Sequence, residues 1–372
     1  MLLDRVRQLV EIESPSDDKR AVDRCVEAVA EMATALGGKV RRHRQRDFGD
    51  LLELRFGRVR RRTAKAAGDA GPVMLLGHLD TVWPLGTLRT MPFRVAQGRA
   101  WGPGTLDMKA GVAMGLTALE ALRATEALER EVVFLLTSEE EVGSPVSREV
   151  TERLARSCVA VFVLEPAQGL QGAYKTARKG VGRYTLRVEG VAAHAGVDFE
   201  KGHSAIDELA WQIEKVRSFT EPERGLTVNV GVIRGGTRGN VVAAEAEAEI
   251  DVRIARAGDA ARIERRMRGL RVRDRRCVLE VAGGMNRPPM ERSRGTAALF
   301  HRAATLAAEL GFGLTEAATG GGSDGNFTAA LGVPTLDGMG AVGEGAHATH
   351  ESVVIAELAP RTMLLAAMLG LQ

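Results

Sequence analysis

The sequence predicts an α/β protein: a mainly parallel, mixed sheet with helices on both faces, interrupted by an inserted α+β domain. Three observations predict it. Apolar runs of strand length alternate with helical segments through residues 1–178. Through residues 179–287 the strands instead alternate apolar and polar side chains, and from 288 to 372 the helix and strand alternation returns.

Helical periodicity runs through 2–13 and 18–36, where Gly37 and Gly38 supply a stop. Residues 51–57, LLELRFG, alternate as a strand, and 58–72, rich in charge and turn residues, read as a mobile surface loop. A buried parallel strand reads as a near-continuous apolar run. Residues 73–79, 131–137 (EVVFLLT) and 159–164 (VAVFVL) fit that pattern, with helical segments at 109–124 and 145–156 between them. Such alternation implies a parallel sheet. Next come a strand at 182–190, a helix at 203–219 and strands at 226–235 and 245–254. A helix at 258–270 and a strand at 277–283 complete the segment. The order β-α-β-β-α-β is that of the split ferredoxin-like unit. Residues 1–178 and 288–372 are thus expected to form one discontinuous domain, with 179–287 inserted.

At 372 residues the chain is long for a single core, which favours two domains. No stretch reaches the roughly 18–20 apolar residues of a membrane span, and MLLDRVRQLVEIES lacks the apolar centre of a signal peptide. A cytoplasmic protein without a membrane partner is expected. The basic clusters RVRRRTAK (58–65) and RVRDRR (271–276) stand in a chain of net charge only +3 and accompany no nucleic-acid motif. They read as solvated faces, so no nucleic-acid partner is expected. Cys25, Cys158 and Cys277 are odd in number and widely spaced, as idle thiols in a reducing compartment are.

The chemistry-bearing residues follow strands or sit in small-residue turns. GPVMLLGHLDTVWP (71–84) ends an apolar run with His78 and Asp80, which share a face of an extended segment. The carboxyl end of a strand is where open α/β sheets place their ligands. GPGTLDMKAG (102–111) sets Asp107 in a glycine-rich turn opening a helix, and VFVLEP (161–166) ends a strand with Glu165. LLTSEEEVGS (135–144) supplies Glu139, Glu140 and Glu141, three carboxylates that repel one another unless a cation is near. GEGAHATHES (343–352) places His347 and His350 among small residues. Singly, each fits a turn or a solvated face. Together they offer the nitrogen and oxygen donors that zinc takes.

In this order, GHLDTV, GPGTLDMKAG, SEEEVGS, LEP, GVAAHAG, GGGSDGNF and GAHATHE resemble the motifs of the co-catalytic zinc exopeptidases and deacylases. That family includes aminoacylase, acetylornithine deacetylase, succinyl-diaminopimelate desuccinylase and bacterial glutamate carboxypeptidase, the last branch being the most similar. The resemblance implies two zinc ions per chain, with cobalt or manganese as substitutes. His78 and Glu165 would hold one ion, Glu141 and His347 the other, and Asp107 would bridge them. Asp80 would hold the other ring nitrogen of His78. Glu140 would be the general base, counting back from Gly143 and Ser144 in the pattern Glu-Glu-x-Gly-Ser. That count leaves Glu139 where relatives often carry Asp, and His350 as an extra histidine. A cis peptide at Asp107–Met108 is also implied.

The inserted unit resembles the family's lid and dimerisation domain. His194, in GVAAHAG, would reach the neighbouring subunit's site in a homodimer and donate to an oxyanion. Asn240, Arg253 and Arg287 would contact substrate, and a guanidinium pairing in bidentate fashion suits a free α-carboxylate. GGGSDGNF (320–327) would line the pocket. The expected reaction is hydrolysis of an amide bond next to a free carboxylate in a small peptide, releasing a C-terminal acidic, glutamate-like amino acid. The alternatives are an N-acyl amino acid deacylase and a non-catalytic relative that binds an amino-acid derivative.

Overall fold

The computed structural model describes residues 1–57 and 71–370. The loop expected over 58–72, with its basic cluster, lies outside the described residues except for 71 and 72. The chain divides into two compact units. One comprises Met1–Ala177, Arg292–Thr319 and Ser323–Gln372, and the other Arg178–Glu291 with Gly320–Gly322.

The first unit is built on a six-stranded sheet in the order Lys39–His43, Leu51–Phe56, Val132–Thr137, Val73–His78, Ala160–Val163, Thr335–Leu336. The last four strands are parallel, and the first two add on antiparallel. Val73–His78 is buried along its whole length, which is why its sequence shows no alternation. Its side chains nevertheless divide between the two faces. Val73 and Leu75 pack with Val132, Phe134 and Phe162 against helices Lys19–Ala35, Ala110–Ala124 and Ile355–Gly370. Met74 and Leu76 pack with Val133, Leu135, Val161 and Val163 against Val150 and Leu154 of helix Ser147–Ala155. Helices therefore cover both faces. Each such aliphatic side chain contributes about 1.5–3 kcal/mol on burial, so the strands are held mainly by what lies above and below them.

Two local devices bring distant segments to the carboxyl edge of this sheet. A Cβ on Gly111 would lie 2.1 Å from the carbonyl oxygen of Leu164, so only glycine lets helix Ala110–Ala124 come this near the strand end. The approach draws Asp107, just before the helix, toward Glu165, just after Leu164. The second device is a small antiparallel sheet of Gly343–Glu344, Ser352–Val354, Arg99–Trp101 and Arg94–Ala96. Pairing of Ser352 with Trp101 sets the loop that carries His347 beside the turn that carries Asp107. Strands of two or three residues have no readable period in the sequence.

In the second unit four strands lie antiparallel in the order Thr227–Gly235, Glu245–Ile254, Gly180–Glu189, Val278–Arg287. The helices Ala205–Arg217 and Gly258–Arg268 bring Leu209, Val216, Ile263 and Met267 onto Tyr184, Leu186, Val188, Ala248, Ile250 and Val252. On exposed positions of the same strands Arg187 pairs with Glu247 at 2.8 Å and Arg234 with Glu249 at 2.7 Å, a solvated and charged surface. The last strand runs to Arg287, beyond the 277–283 expected. Its AGGMN stretch has no alternation and is recruited by register with Gly180–Glu189. Gly320–Gly322 join this unit because Arg178 donates to the carbonyls of Gly321 and Gly322, at 3.2 Å each, and Arg253 to that of Gly320 at 3.3 Å. Among the described residues no helix is long and apolar enough to cross a membrane.

Candidate metal centre

Register alone places the first pair of donors. Leu76 is the parallel partner of Val163, and two residues farther along the same register Glu165 stands opposite His78. The His78 Nε2 lies 3.5 Å from Glu165 Oε1 and 3.2 Å from Asp107 Oδ1. Its Nδ1 faces the backbone oxygen of Asp80 at 3.0 Å and the Asp80 carboxylate at 3.4 Å. Both are acceptors, so Nδ1 carries a proton, and Nε2 is the nitrogen turned toward Asp107 and Glu165. The carbonyl, not the expected carboxylate, is the nearer partner of the ring.

The Asp80 carboxylate has a further task that the sequence did not reveal. It accepts the backbone N–H groups of Glu140 and Glu141 at 3.2 Å each and the Ser16 hydroxyl at 2.7 Å. Asp80 thus ties the His78 strand end to the turn Glu140–Val142. On that turn Glu141 approaches His347, whose Nε2 lies 3.1 Å from Glu141 Oε2 and 3.3 Å from Asp107 Oδ2. His347 occupies the third position of a turn closed by Ala348 N–H to the Gly345 carbonyl at 2.8 Å, with φ of 63°. For a residue with a side chain that conformation costs about 1–3 kcal/mol and needs surrounding structure to hold it. The Asp107–Met108 peptide bond is cis.

Two groups of donor atoms result, each within 4.8 Å: His78, Asp107 and Glu165, and Asp107, Glu141 and His347. Asp107 belongs to both. Neither group includes His350, which is exposed. Glu139 belongs to neither group. It is buried and accepts the backbone N–H groups of Val146 and Ser147, at 3.2 and 2.6 Å, at the start of helix Ser147–Ala155. Asp324, from the glycine-rich segment, accepts the Thr137 hydroxyl at 3.0 Å and that of Ser144, bracketing the glutamate run from both sides.

The remaining candidate residues lie in the second unit, in two pairs. The Ala195 N–H donates to the Asn240 carbonyl at 3.0 Å, which makes His194 and Asn240 neighbours, both exposed. The His194 Nδ1 accepts the Gly196 N–H at 3.2 Å, so a neutral ring carries its proton on Nε2 and presents a donor. Arg253 and Arg287 are both register partners of Val181, on strands flanking Gly180–Glu189. Gly322 packs over this row, since a Cβ there would lie 2.9 Å from Val181 and from the Arg287 stem. Arg253 already forks onto the Asp251 carboxylate, at 2.8 Å for both contacts, whereas Arg287 is buried.

Residues 74–370 match the family described as peptidase family M20/M25/M40. The chain belongs to that family. It is 27% identical over 383 residues to carboxypeptidase G2 of Pseudomonas sp. (strain RS-16), covering 98% of this chain and 92% of that protein. It is 28% identical over 308 residues to succinyl-diaminopimelate desuccinylase of Dechloromonas aromatica (strain RCB), covering 77% of this chain and 80% of that one. Its fold resembles that of aminopeptidase PepT from Bacillus cereus ATCC 10987, with TM-score 0.77, 23% identity and coverage of 99% and 97%. It also resembles the M20 family metallo-carboxypeptidase Sso-CP2 from Sulfolobus solfataricus, with TM-score 0.75, 16% identity and coverage of 100% and 98%. Membership makes the protein a hydrolase of the metallopeptidase and amidohydrolase type.

The donor set of this M20 chain suits a divalent metal. Imidazole nitrogens and carboxylate oxygens are what zinc accepts, and the Nδ1 contacts of His78 supply the outer shell that fixes a ligating ring. The electrostatics point the same way. Burial opposes the charged form of His78, but Asp107, Asp80 and Glu165 together hold its pKa well above the usual imidazole value. Asp107 and Glu141 push His347 up to about 10. Burial likewise opposes the charge on Asp107, which His347 and His78 nevertheless keep well below the usual carboxylate range. Without a cation the carboxylates thus recruit protons on the imidazoles as countercharge.

This generates a prediction about protons. A ligating imidazole is neutral, and the neighbouring carboxylates favour the protonated form of both rings in the metal-free protein, so metal uptake at pH 7 should release protons, up to about two per chain. The sign follows from the raised values: metal affinity should rise with pH through the neutral range, as both rings give up their protons more readily. Calorimetry in buffers of different ionisation enthalpy measures the release. A value near zero at pH 7 would mean that the rings are already neutral.

Proposed function

We propose that this M20 protein hydrolyses an amide bond next to a free carboxylate and releases a C-terminal, glutamate-like amino acid. The observation that carries the reading is the pair of donor groups sharing Asp107, with Glu140 on the same short turn as Glu141. Two ions, zinc with cobalt or manganese as substitutes, would be held by His78 and Glu165, by Glu141 and His347, and jointly by Asp107. When bound they would supply Lewis acidity toward the scissile carbonyl and lower the pKa of water toward neutrality. Glu140 takes the proton of the attacking water and returns it to the leaving nitrogen. Asp80 holds Glu140 and Glu141 in step through their backbone N–H groups. The second unit serves as lid and dimerisation domain. Arg253 and Arg287, both opposite Val181, read the substrate carboxylate. Asn240 sits beside His194, whose Nε2–H is the donor for the developing oxyanion, supplied by a second copy of the chain in a homodimer.

The desuccinylase relative supports a second reading, cleavage of an N-acyl amino acid in which the acyl group decides the rate. A panel of peptidyl-glutamates, N-acyl glutamates and N-succinyl amino acids separates the two. Under the leading reading the released amino acid governs kcat/KM. Amidating its α-carboxylate should then cost about 2–5 kcal/mol, or roughly 30- to several-thousand-fold. Equal rates on acid and amide would remove Arg253 and Arg287 from substrate binding.

Glu140→Gln preserves shape and removes the base, so turnover should fall by about 10²–10⁴-fold while both ions stay. Glu141→Gln should lose one ion. If elemental analysis shows the reverse pattern, the two glutamates have each other's roles.

His194→Ala should lower kcat by about 10²–10³-fold with metal content intact. Mixing it with Glu140→Gln chains should restore activity, because one site of each heterodimer then has an intact base and an intact histidine from its partner. Exchanged but inactive subunits would place His194 in its own chain's site or outside the chemistry.

A further inference from the structure

A carboxylate that no part of this mechanism uses stands directly behind the centre. Glu351 is completely buried, four residues after His347, and its hydrogen-bond partners among the described residues are uncharged N–H groups. Its Oε1 accepts the backbone N–H groups of Leu106 at 2.8 Å and Asp107 at 3.0 Å. Its Oε2 accepts the Gly104 N–H at 2.9 Å and the Trp83 indole N–H at 2.8 Å. The backbone of Glu351 closes the His347 loop, donating to the Ala348 carbonyl at 2.9 Å. Three segments therefore meet on one side chain: the strand exit from His78 to Trp83, the turn from Gly104 to Asp107, and the loop from His347 to Glu351. Each carries a member of the donor set.

We propose that Glu351 is a positioning residue that sets the orientation of Asp107 between His78 and His347. The inference rests on the two-metal reading above. A carboxylate has only acceptors to offer, and here four N–H groups converge on it from two other segments of the chain. Charge-assisted hydrogen bonds of this kind are short and geometrically demanding. The donor at Asp107 is its own backbone N–H, so the carboxylate side chain of Asp107 is aimed from behind by a group it does not touch. A glutamine at this position would turn an NH₂ toward two of the four N–H groups. Both would be left buried and unpaired, and the turn would have to shift to relieve them.

The test uses metal-free full-length protein titrated with cobalt(II). Wild type, Glu351→Gln and Trp83→Phe are compared by chelator competition and by the visible d–d spectrum, with circular dichroism as the measure of folding. Loss of an outer-shell partner typically costs 10–100-fold in metal affinity. Glu351→Gln should therefore bind cobalt about 10–100-fold more weakly with an altered spectrum, and Trp83→Phe, which removes one of the four donors, should move both readouts in the same direction by less. The core substitution Leu306→Ala should lower Tm and leave affinity and spectrum unchanged, which separates positioning from general destabilisation. Wild-type affinity and spectrum in folded Glu351→Gln would overturn the proposal. Should that variant fail to fold, wild-type values in folded Trp83→Phe overturn it equally. The ion count of the wild type tests the two-metal reading, while the ratio of variant to wild type tests Glu351 at whichever ions the wild type holds.

Discussion

The centre depends on one carboxylate with two imidazole partners. Asp107 meets His78 through Oδ1 at 3.2 Å and His347 through Oδ2 at 3.3 Å. A group of that size cannot serve both rings unless three separate segments converge within a few ångströms. The parallel sheet delivers one, since His78 ends its central strand. The tight approach at Gly111 delivers the second, by letting the helix behind Asp107 lie on the Leu164 carbonyl. The small antiparallel sheet delivers the third, by pairing the far side of the His347 loop with the strand that leads into the Asp107 turn. Each device is held by burial or backbone pairing elsewhere, so the donors need not hold themselves together.

The run Glu139, Glu140, Glu141 shows how backbone direction separates chemically identical neighbours. Glu139 turns inward, and burial raises its pKa above the usual carboxylate value even as the N–H groups of the next helix receive it. Glu141 turns to His347 and Asp107, again with its pKa raised by burial. Glu140 lies between them, at the start of the turn and partly exposed. Like charges this close are tolerable because each finds different countercharge or donors. The turn itself is pinned by Asp80 below and Asp324 above.

How much of this was legible in the sequence follows from length scale. Val73–His78, Val132–Thr137 and Ala160–Val163 were readable because strands buried on both faces must be apolar throughout. The donors at their ends were readable because His78, the glutamate run and Glu165 interrupt those apolar runs abruptly. The order of strands and helices in 179–287 was readable from alternation. Strands of two or three residues such as Ser352–Val354 were not, since that strand rests on pairing with the distant segment Arg99–Trp101. Glu139 as the acceptor for the helix at Ser147 was hidden for a related reason: it caps across eight residues rather than the three of a local capping box. Glu351, the last residue of GAHATHE, carried no readable role. A single glutamate in a polar loop looks solvated until the fold buries it.

Charge balance carries the argument one step beyond geometry. Asp80, Asp107, Glu140, Glu141 and Glu165 surround two imidazoles, and even with both rings protonated the negative charges outnumber the positive. Placing that excess at the edge of a sheet works against folding, because a desolvated carboxylate without countercharge is costly. The raised imidazole pKa values are the partial remedy available to the chain alone. A cation that binds only the folded arrangement relieves the remainder, and it stabilises the fold in proportion to the logarithm of its concentration over its dissociation constant. The acidic excess that makes the site a poor piece of protein core is therefore the same property that suits it to divalent ions. The scaffold of large aliphatic cores on both faces of the sheet is what allows the first unit to carry it.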